Sequence, residues 1–253
     1  MKLLAILLLI PLLPTLVCNS SITNQKTNLP VSETPSTPPS VVMELFTSQG
    51  CSSCPPADRL LGQYVSDPNV IALSFHVDYW NNLGWKDPFS TAENSERQKM
   101  YASLGTDGVY TPQLIINGEH QMIGSDEQAV RTSLKEITGL SANVISIKDS
   151  KVAGEKINIQ YTINKLPANV VVQCIFIQDK AITSIRRGEN HGITLTNYNI
   201  VRSFNTIQAP KEGDNEFTTS TIPEVKPEHM SVVLLLQDKS SNRILAAVRT
   251  PIF

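Results

Sequence analysis

From Val41 onward, short apolar runs alternate with polar, helix-compatible stretches. VVMELF (41–46) reads as a strand. A helix is predicted to begin near Cys51 and to run through DRLLGQYV, with Pro55 and Pro56 in or near its first turn, where missing N–H donors cost little. Asp67-Pro68-Asn69 ends that unit as a turn, and VIALSFHV (70–77) is nearly continuous in apolar residues, as a strand buried on both faces should be. TAENSERQKMYASLG (91–105) predicts a second helix, capped at Ser90 or Thr91 and stopped at Gly105. Strands at 112–117 and 119–123 are joined at Asn117-Gly118, and a third helix follows from about Ser125 to Ile137, with Ser125 and Gln128 resembling a capping box. The order is β-α-β-α-β-β-α over 41–139. From about Leu140 the pattern changes to polar–apolar alternation and apolar runs such as VVVQCIFIQ (170–178) and SVVLLLQD (231–238). Residues 140–253 therefore predict an all-β, sandwich-like domain; the other arrangement is that these strands extend the first sheet.

The first 40 residues have a different texture. MKLLAILLLIPLLPTLV (1–17) is one lysine followed by an apolar run too short for the ~20 residues of a bilayer span. It reads as a secretion signal spanning 1–18. Cys18 stands where the run stops, as in a lipoprotein signal, although Val17 occupies a position that usually holds a small residue; ordinary secretion or an uncleaved anchor remain open. Each places the chain outside the cytoplasm, in a bacterial periplasm or cell envelope, with membrane anchoring through Cys18 in the lipoprotein case. Residues 19–40 are rich in Ser, Thr, Asn and Pro and cannot bury enough surface to fold, so they form a disordered linker.

Composition narrows the chemistry. A formal net charge of −2 over 253 residues, without a long basic run, argues against nucleic acid as a partner. Four cysteines are too few for a disulfide-rich scaffold. Cys51 and Cys54 lack the two further ligands a zinc site needs, since only Cys174 and four scattered histidines are on offer. No glycine-rich nucleotide fingerprint is present, and no cofactor is implied. A Cys-x-x-Cys between a strand and a helix is instead a thiol–disulfide site, because helix-start N–H groups and the helix dipole favour the reactive thiolate. Cys51 is the expected nucleophile and Cys54 the resolving thiol, the two cycling through a Cys51–Cys54 disulfide.

The β-α-β-α-β-β-α order, the dithiol after the first strand, and Thr111-Pro112 before an apolar strand resemble the thioredoxin fold. ELFTSQGCSSCPPAD, SFHVDYWNNLGWKDPF, GVYTPQ and RGENHGITLTNYNIVR resemble more narrowly a bacterial secreted thioredoxin-fold family classed as a domain of unknown function. The resemblance implies a cis bond at Pro112, which shapes the substrate groove, and a Thr111 backbone offered to an extended substrate. It also suggests a buried acid on the first strand, near Glu44, as a proton relay to Cys54, the other reading of Glu44 being an edge-facing or salt-bridged glutamate. His76, at the end of the second strand, is a candidate thiolate stabiliser or proton shuttle, or a hydrogen-bonded structural residue. Trp80 and Trp85 are either a lid or packing anchors. Glu189, His191 and Arg202 lie in family-like sequence of the β-rich half without an evident mechanism, contact with the first domain being one reading of RGENHG. Cys174 reads as a buried, inert thiol.

These readings converge on an extracytoplasmic thiol–disulfide oxidoreductase acting on protein or small-molecule thiols and disulfides. Two alternatives are a thiol peroxidase, with Cys54 resolving a sulfenic acid on Cys51, and a non-catalytic binding or scaffold lipoprotein.

Overall fold

The computed structural model describes residues 41–102 and 108–253. The signal, the Cys18 lipidation site and the linker fall outside the described residues.

The first half carries β1 (Val41–Thr47), α1 (Pro55–Gly62), β2 (Val70–His76), α2 (Ala92–Ala102), β3 (Gln113–Ile116), β4 (His120–Ile123) and α3 (Glu127–Glu136). The second half is all β: β5 (Ile145–Ala153), β6 (Lys156–Ile163), β7 (Val170–Ser184), β8 (Thr194–Ile207), β9 (Gly213–Ser220), β10 (Met230–Asp238) and β11 (Ile244–Pro251). Two local expectations shift. Helix α1 starts at Pro55 with Cys54 as its N-cap, so Cys51 belongs to the preceding turn. Helix α3 is capped by Asp126, whose side chain accepts the Ala129 N–H, and not by Ser125.

The expected boundary at 139/140 does not separate two bodies. One mixed sheet runs through both halves in the order β11-β10-β7-β8-β2-β1-β3-β4. Strands β1 and β2 are parallel, and β8 joins β2 in parallel through the Ser74–Ile200 pair. Asn199, at φ 44°, reinforces that seam by donating from Nδ2 to the Ala72 carbonyl at 2.9 Å. The reason lies in the sequences of β7 and β10, which are apolar on both faces and so need cover on both. Val172, Cys174 and Phe176 pack with Val232, Leu234 and Leu236 against Ile157, Ile159 and Tyr161 of the separate β5-β6-β9 sheet. The intervening Ile175, Ile177, Val233 and Leu235 turn to the other face and join Phe46, Phe75 and Tyr101. The sandwich-like character is therefore local to one end of the long sheet.

At the other end, side-chain alternation sorts the first half. Val41, Met43 and Leu45 face α1 and α3, packing on Ala57, Leu60, Leu61 and Val130. Val42 and Phe46 face α2. Thr47 thus falls on the α1 side and Glu44 on the α2 side, and this parity decides which polar groups reach the cysteines.

Candidate active site

Cys51 and Cys54 are free thiols at the C-terminal end of β1, both buried, with exposed Ser52 and Ser53 between them. The Cys51 amide closes the turn on the Ser48 carbonyl at 3.2 Å. Cys51 Sγ lies 3.2 Å from Ser53 Oγ and 4.0 Å from the Thr111 carbonyl. The Thr111–Pro112 bond is cis, and Trp80 Nε1 donates to Thr111 Oγ1 at 2.8 Å, fixing that loop beside the dithiol. Cys51, Cys54, Thr111 and Pro112 are therefore brought together.

The two thiols differ in acidity. The Cys54 S–H directed at Cys51, together with Ser53 and Thr111, outweighs burial and lowers Cys51 to about 6. Desolvation first, then the neighbouring Cys51 and Asp58 charges, push Cys54 far above its ordinary value. Cys51 is thus mostly thiolate at neutral pH, and Cys54 keeps its proton.

Several buried polar side chains act on Cys54 and on one another. Asp58 stands four residues on, one turn along α1, and is 4% exposed. Neither of its carboxyl oxygens has a hydrogen-bond partner among the described residues. Thr47 Oγ1 sits beside both Asp58 and Cys54, outside good hydrogen-bond geometry for either. Burial raises Asp58 to about 7, moderated by His76. His76 is paired with Thr47 across β1 and β2, and its ring donates from Nδ1 to Asp87 Oδ2 at 2.7 Å. Desolvation pulls the imidazolium pKa down, but Asp87 and Asp58 outweigh it and hold His76 above its ordinary value. Asp87 is correspondingly held low against its own desolvation by His76 and by the Gln49 and Phe89 amides. His76 Nε2 is left unpartnered among the described residues. Unsatisfied buried polar atoms are rare in native proteins and cluster where chemistry or ordered water needs them.

Glu44 is not part of this group. It lies on the opposite face of β1, where Arg97 Nε donates to it at 2.7 Å and the Tyr101 hydroxyl donates to its second oxygen. The position expected of a buried acid near Cys54 is held by Asp58 on the helix. The sequence carried a signal for it: an acid four residues after the second cysteine shares that cysteine's helix face.

The RGENHG segment, at the tip of the β7–β8 hairpin, also reaches the dithiol. Asn190 Nδ2 donates to the carbonyls of Gln49 and Cys51, both at 2.9 Å. Glu189 Oε2 accepts the Ser52 N–H at 3.1 Å. Gly188, at φ +75°, passes against Trp85, where an added Cβ would come within 3.1 Å of the tryptophan Cβ. Trp85 Nε1 donates to Gln49 Oε1 at 3.2 Å, so this tryptophan is a packing anchor between hairpin and dithiol turn. Arg202 stacks its guanidinium 5.4 Å from the Phe89 ring centre and bonds Gln178. Cys174 is fully buried in β7, its thiol pushed up by desolvation. Among the described residues, no cluster of His, Cys, Asp and Glu could hold a metal ion, and no helix is long and apolar enough to cross a membrane.

The site thus sits in a mixed α/β protein whose long sheet carries the dithiol turn. The chain belongs to the family described as Protein of unknown function (DUF1223), matched over residues 42–237. It is similar to a "Probable Thioredoxin" from Archaeoglobus fulgidus, 27% identical over 100 residues that make up 39% of this chain and 91% of that one. A crystal structure of a protein from Agrobacterium tumefaciens aligns with a TM-score of 0.62 at 31% identity, covering 83% of this chain and 93% of that chain. HBP35 of Porphyromonas gingivalis aligns with a TM-score of 0.57 at 12% identity, covering 86% of this chain and 76% of that chain, a likeness of fold alone.

Proposed function

We propose that this chain is a thiol–disulfide oxidoreductase on a thioredoxin fold, acting outside the cytoplasm on protein or small-molecule thiols and disulfides. The fold reading is supported by the β2-β1-β3-β4 order, with α1 and α3 on one face and α2 on the other. The extracytoplasmic reading rests on the apolar stretch at residues 1–17.

The observation that carries the activity is the opposed acidity of the two thiols above a buried, unpartnered carboxylate. In the oxidising direction for the protein, the Cys51 thiolate attacks one sulfur of a substrate disulfide, RS–SR. The Cys51–SR bond forms, the S–S bond breaks, and RS⁻ leaves and takes up a proton. Asp58 then accepts the Cys54 proton, and the Cys54 thiolate attacks Cys51 Sγ, closing the Cys51–Cys54 disulfide and releasing the second RS⁻. Two electrons have moved from the dithiol to the substrate, and the reverse sequence oxidises a dithiol substrate. Thr47 Oγ1 lies beside the transfer, and the His76–Asp87 pair sets the field on Asp58.

The test is the reduction potential of the Cys51–Cys54 pair, measured by equilibration in glutathione buffers and alkylation of free thiols. A value between about −120 and −270 mV, the range of exchange proteins, is expected; an inert disulfide well below about −300 mV would make the bond structural and overturn the proposal.

A further inference from the structure

Glu189 adds a charge to the mouth of this site that the exchange chemistry does not require. Its carboxylate is exposed, yet it is fixed at 3.1 Å from the Ser52 N–H, one residue from the nucleophile. Among the described residues it forms no ion pair; Arg186 and Arg187, two and three positions earlier in the chain, are exposed and do not neutralise it within bonding distance. Asn190, buried and bonded to the Gln49 and Cys51 carbonyls, prevents the hairpin tip from swinging away. The charged groups beneath the dithiol do not offset the carboxylate. His76 and Asp87 cancel as a pair, and Asp58 is a further acid.

We propose that Glu189 is a specificity residue that makes the dithiol discriminate against anionic disulfides. The class it favours is a disulfide flanked by neutral or cationic groups, such as a polypeptide cysteine with basic neighbours. This rests on the exchange activity proposed above. A carboxylate beside the reacting sulfur repels a substrate carboxylate as Cys51 attacks and attracts a substrate ammonium. Across the roughly 6–8 Å between side chains of neighbouring chain segments, one charge acting on another through water changes a rate about two- to three-fold, and salt screens the effect.

The full chain, reduced, is oxidised by three small disulfides of similar size: cystamine (cationic), 2-hydroxyethyl disulfide (neutral) and 3,3′-dithiodipropionate (anionic). In Glu189→Gln the ratio of cystamine to dithiodipropionate rates should fall about five-fold, because two substrate charges of opposite sign each contribute such a factor; dividing each rate by that of the hydroxyethyl disulfide removes any change in the nucleophile common to all three. In the unmodified chain, raising salt to about 0.5 M should slow cystamine and speed dithiodipropionate, since the Debye length falls below the charge separation, and both responses should be smaller in Glu189→Gln, where the Cys51 thiolate is the remaining nearby anion acting on the reagents. The specificity role is overturned if the ratio is the same in both chains, or if salt moves both charged reagents in the same direction. Failure of all three reagents to oxidise the pair, the neutral one included, overturns the exchange activity itself and the specificity role with it.

Discussion

Asp58 lies one helical turn beyond Cys54 with both carboxyl oxygens unpartnered among the described residues, while Glu44, the acid on β1, is held on the far side of the sheet by Arg97. A proton leaving Cys54 therefore has Asp58, raised to about 7 and close enough for its charge to act on Cys54, as a buried acceptor. In Asp58→Asn the resolving step should slow by at least about ten-fold, the low end of general-base contributions, while Cys51 still reacts. Mass spectrometry of the glutathione mixed disulfide checks this: it accumulates in the variant and stays transient in the unmodified chain.

The same carboxylate costs stability. Its folded pKa is raised from 3.8 to about 7, so the folded state holds the proton more tightly than the unfolded state. No penalty exists below about pH 4; it grows as pH rises toward 7 and is constant above. Asp58→Asn should thus match the unmodified reduced chain near pH 4 and exceed it at pH 8 by a few kcal/mol, on the order of 2–4. Urea unfolding at pH 4, 6 and 8 measures the difference; equal stabilities at pH 8 would contradict the buried, ionising carboxylate.

Cys51 owes its acidity first to the Cys54 S–H, then to Ser53 and Thr111. Its iodoacetamide alkylation should titrate with a midpoint near 6, and Cys54→Ala should move that midpoint up by a unit or more toward the ordinary value near 8.5. An unmoved midpoint would mean that the helix start alone sets the acidity.

Glu44→Gln separates the two acids. It leaves the Arg97 guanidinium buried without its carboxylate partner and should cost about 3–5 kcal/mol in unfolding free energy. The Cys51 alkylation midpoint should stay where it is, because Glu44 and the dithiol are on opposite faces of β1. Nor should the glutathione mixed disulfide accumulate; its accumulation would restore Glu44 to the relay.

Asn190→Ala removes two hydrogen bonds to buried carbonyls, those of Gln49 and Cys51. A loss of about 2–3 kcal/mol is expected, with slower Cys51 alkylation as the turn loosens. Thermal melting and alkylation together distinguish this from a surface asparagine, whose removal would change neither.

The sequence was legible where periodicity and local chemistry agree. The strand–helix alternation to residue 137, the Asn117-Gly118 turn, Cys51–Cys54 and Thr111-Pro112 are all local signals. The merging of the halves was not legible, because β7 and β10 read equally well as the core of a separate sandwich or as central strands of a longer sheet. The choice between them depends on the β2–β8 seam, which rests on one backbone pair and Asn199. Of its two readings Glu44 has the salt-bridged one, for a reason of parity. Glu44 is near the dithiol along the chain, but one residue of strand turns a side chain to the opposite face. The RGENHG segment stood out by resemblance and contact with the first half was one reading of it, but the particular partners of Asn190 and Glu189, Cys51 and Ser52, are 139 and 137 positions away and only the fold pairs them.

That separation also has a consequence in time. A ribosome adding 5–20 residues per second delivers Asn190 on the order of ten seconds after Cys51. Through that interval the nascent chain carries its two cysteines without the hairpin that braces their turn and places a carboxylate at its mouth. The turn that holds the two thiols is thus completed by chain made well after the thiols themselves, the β7–β8 hairpin.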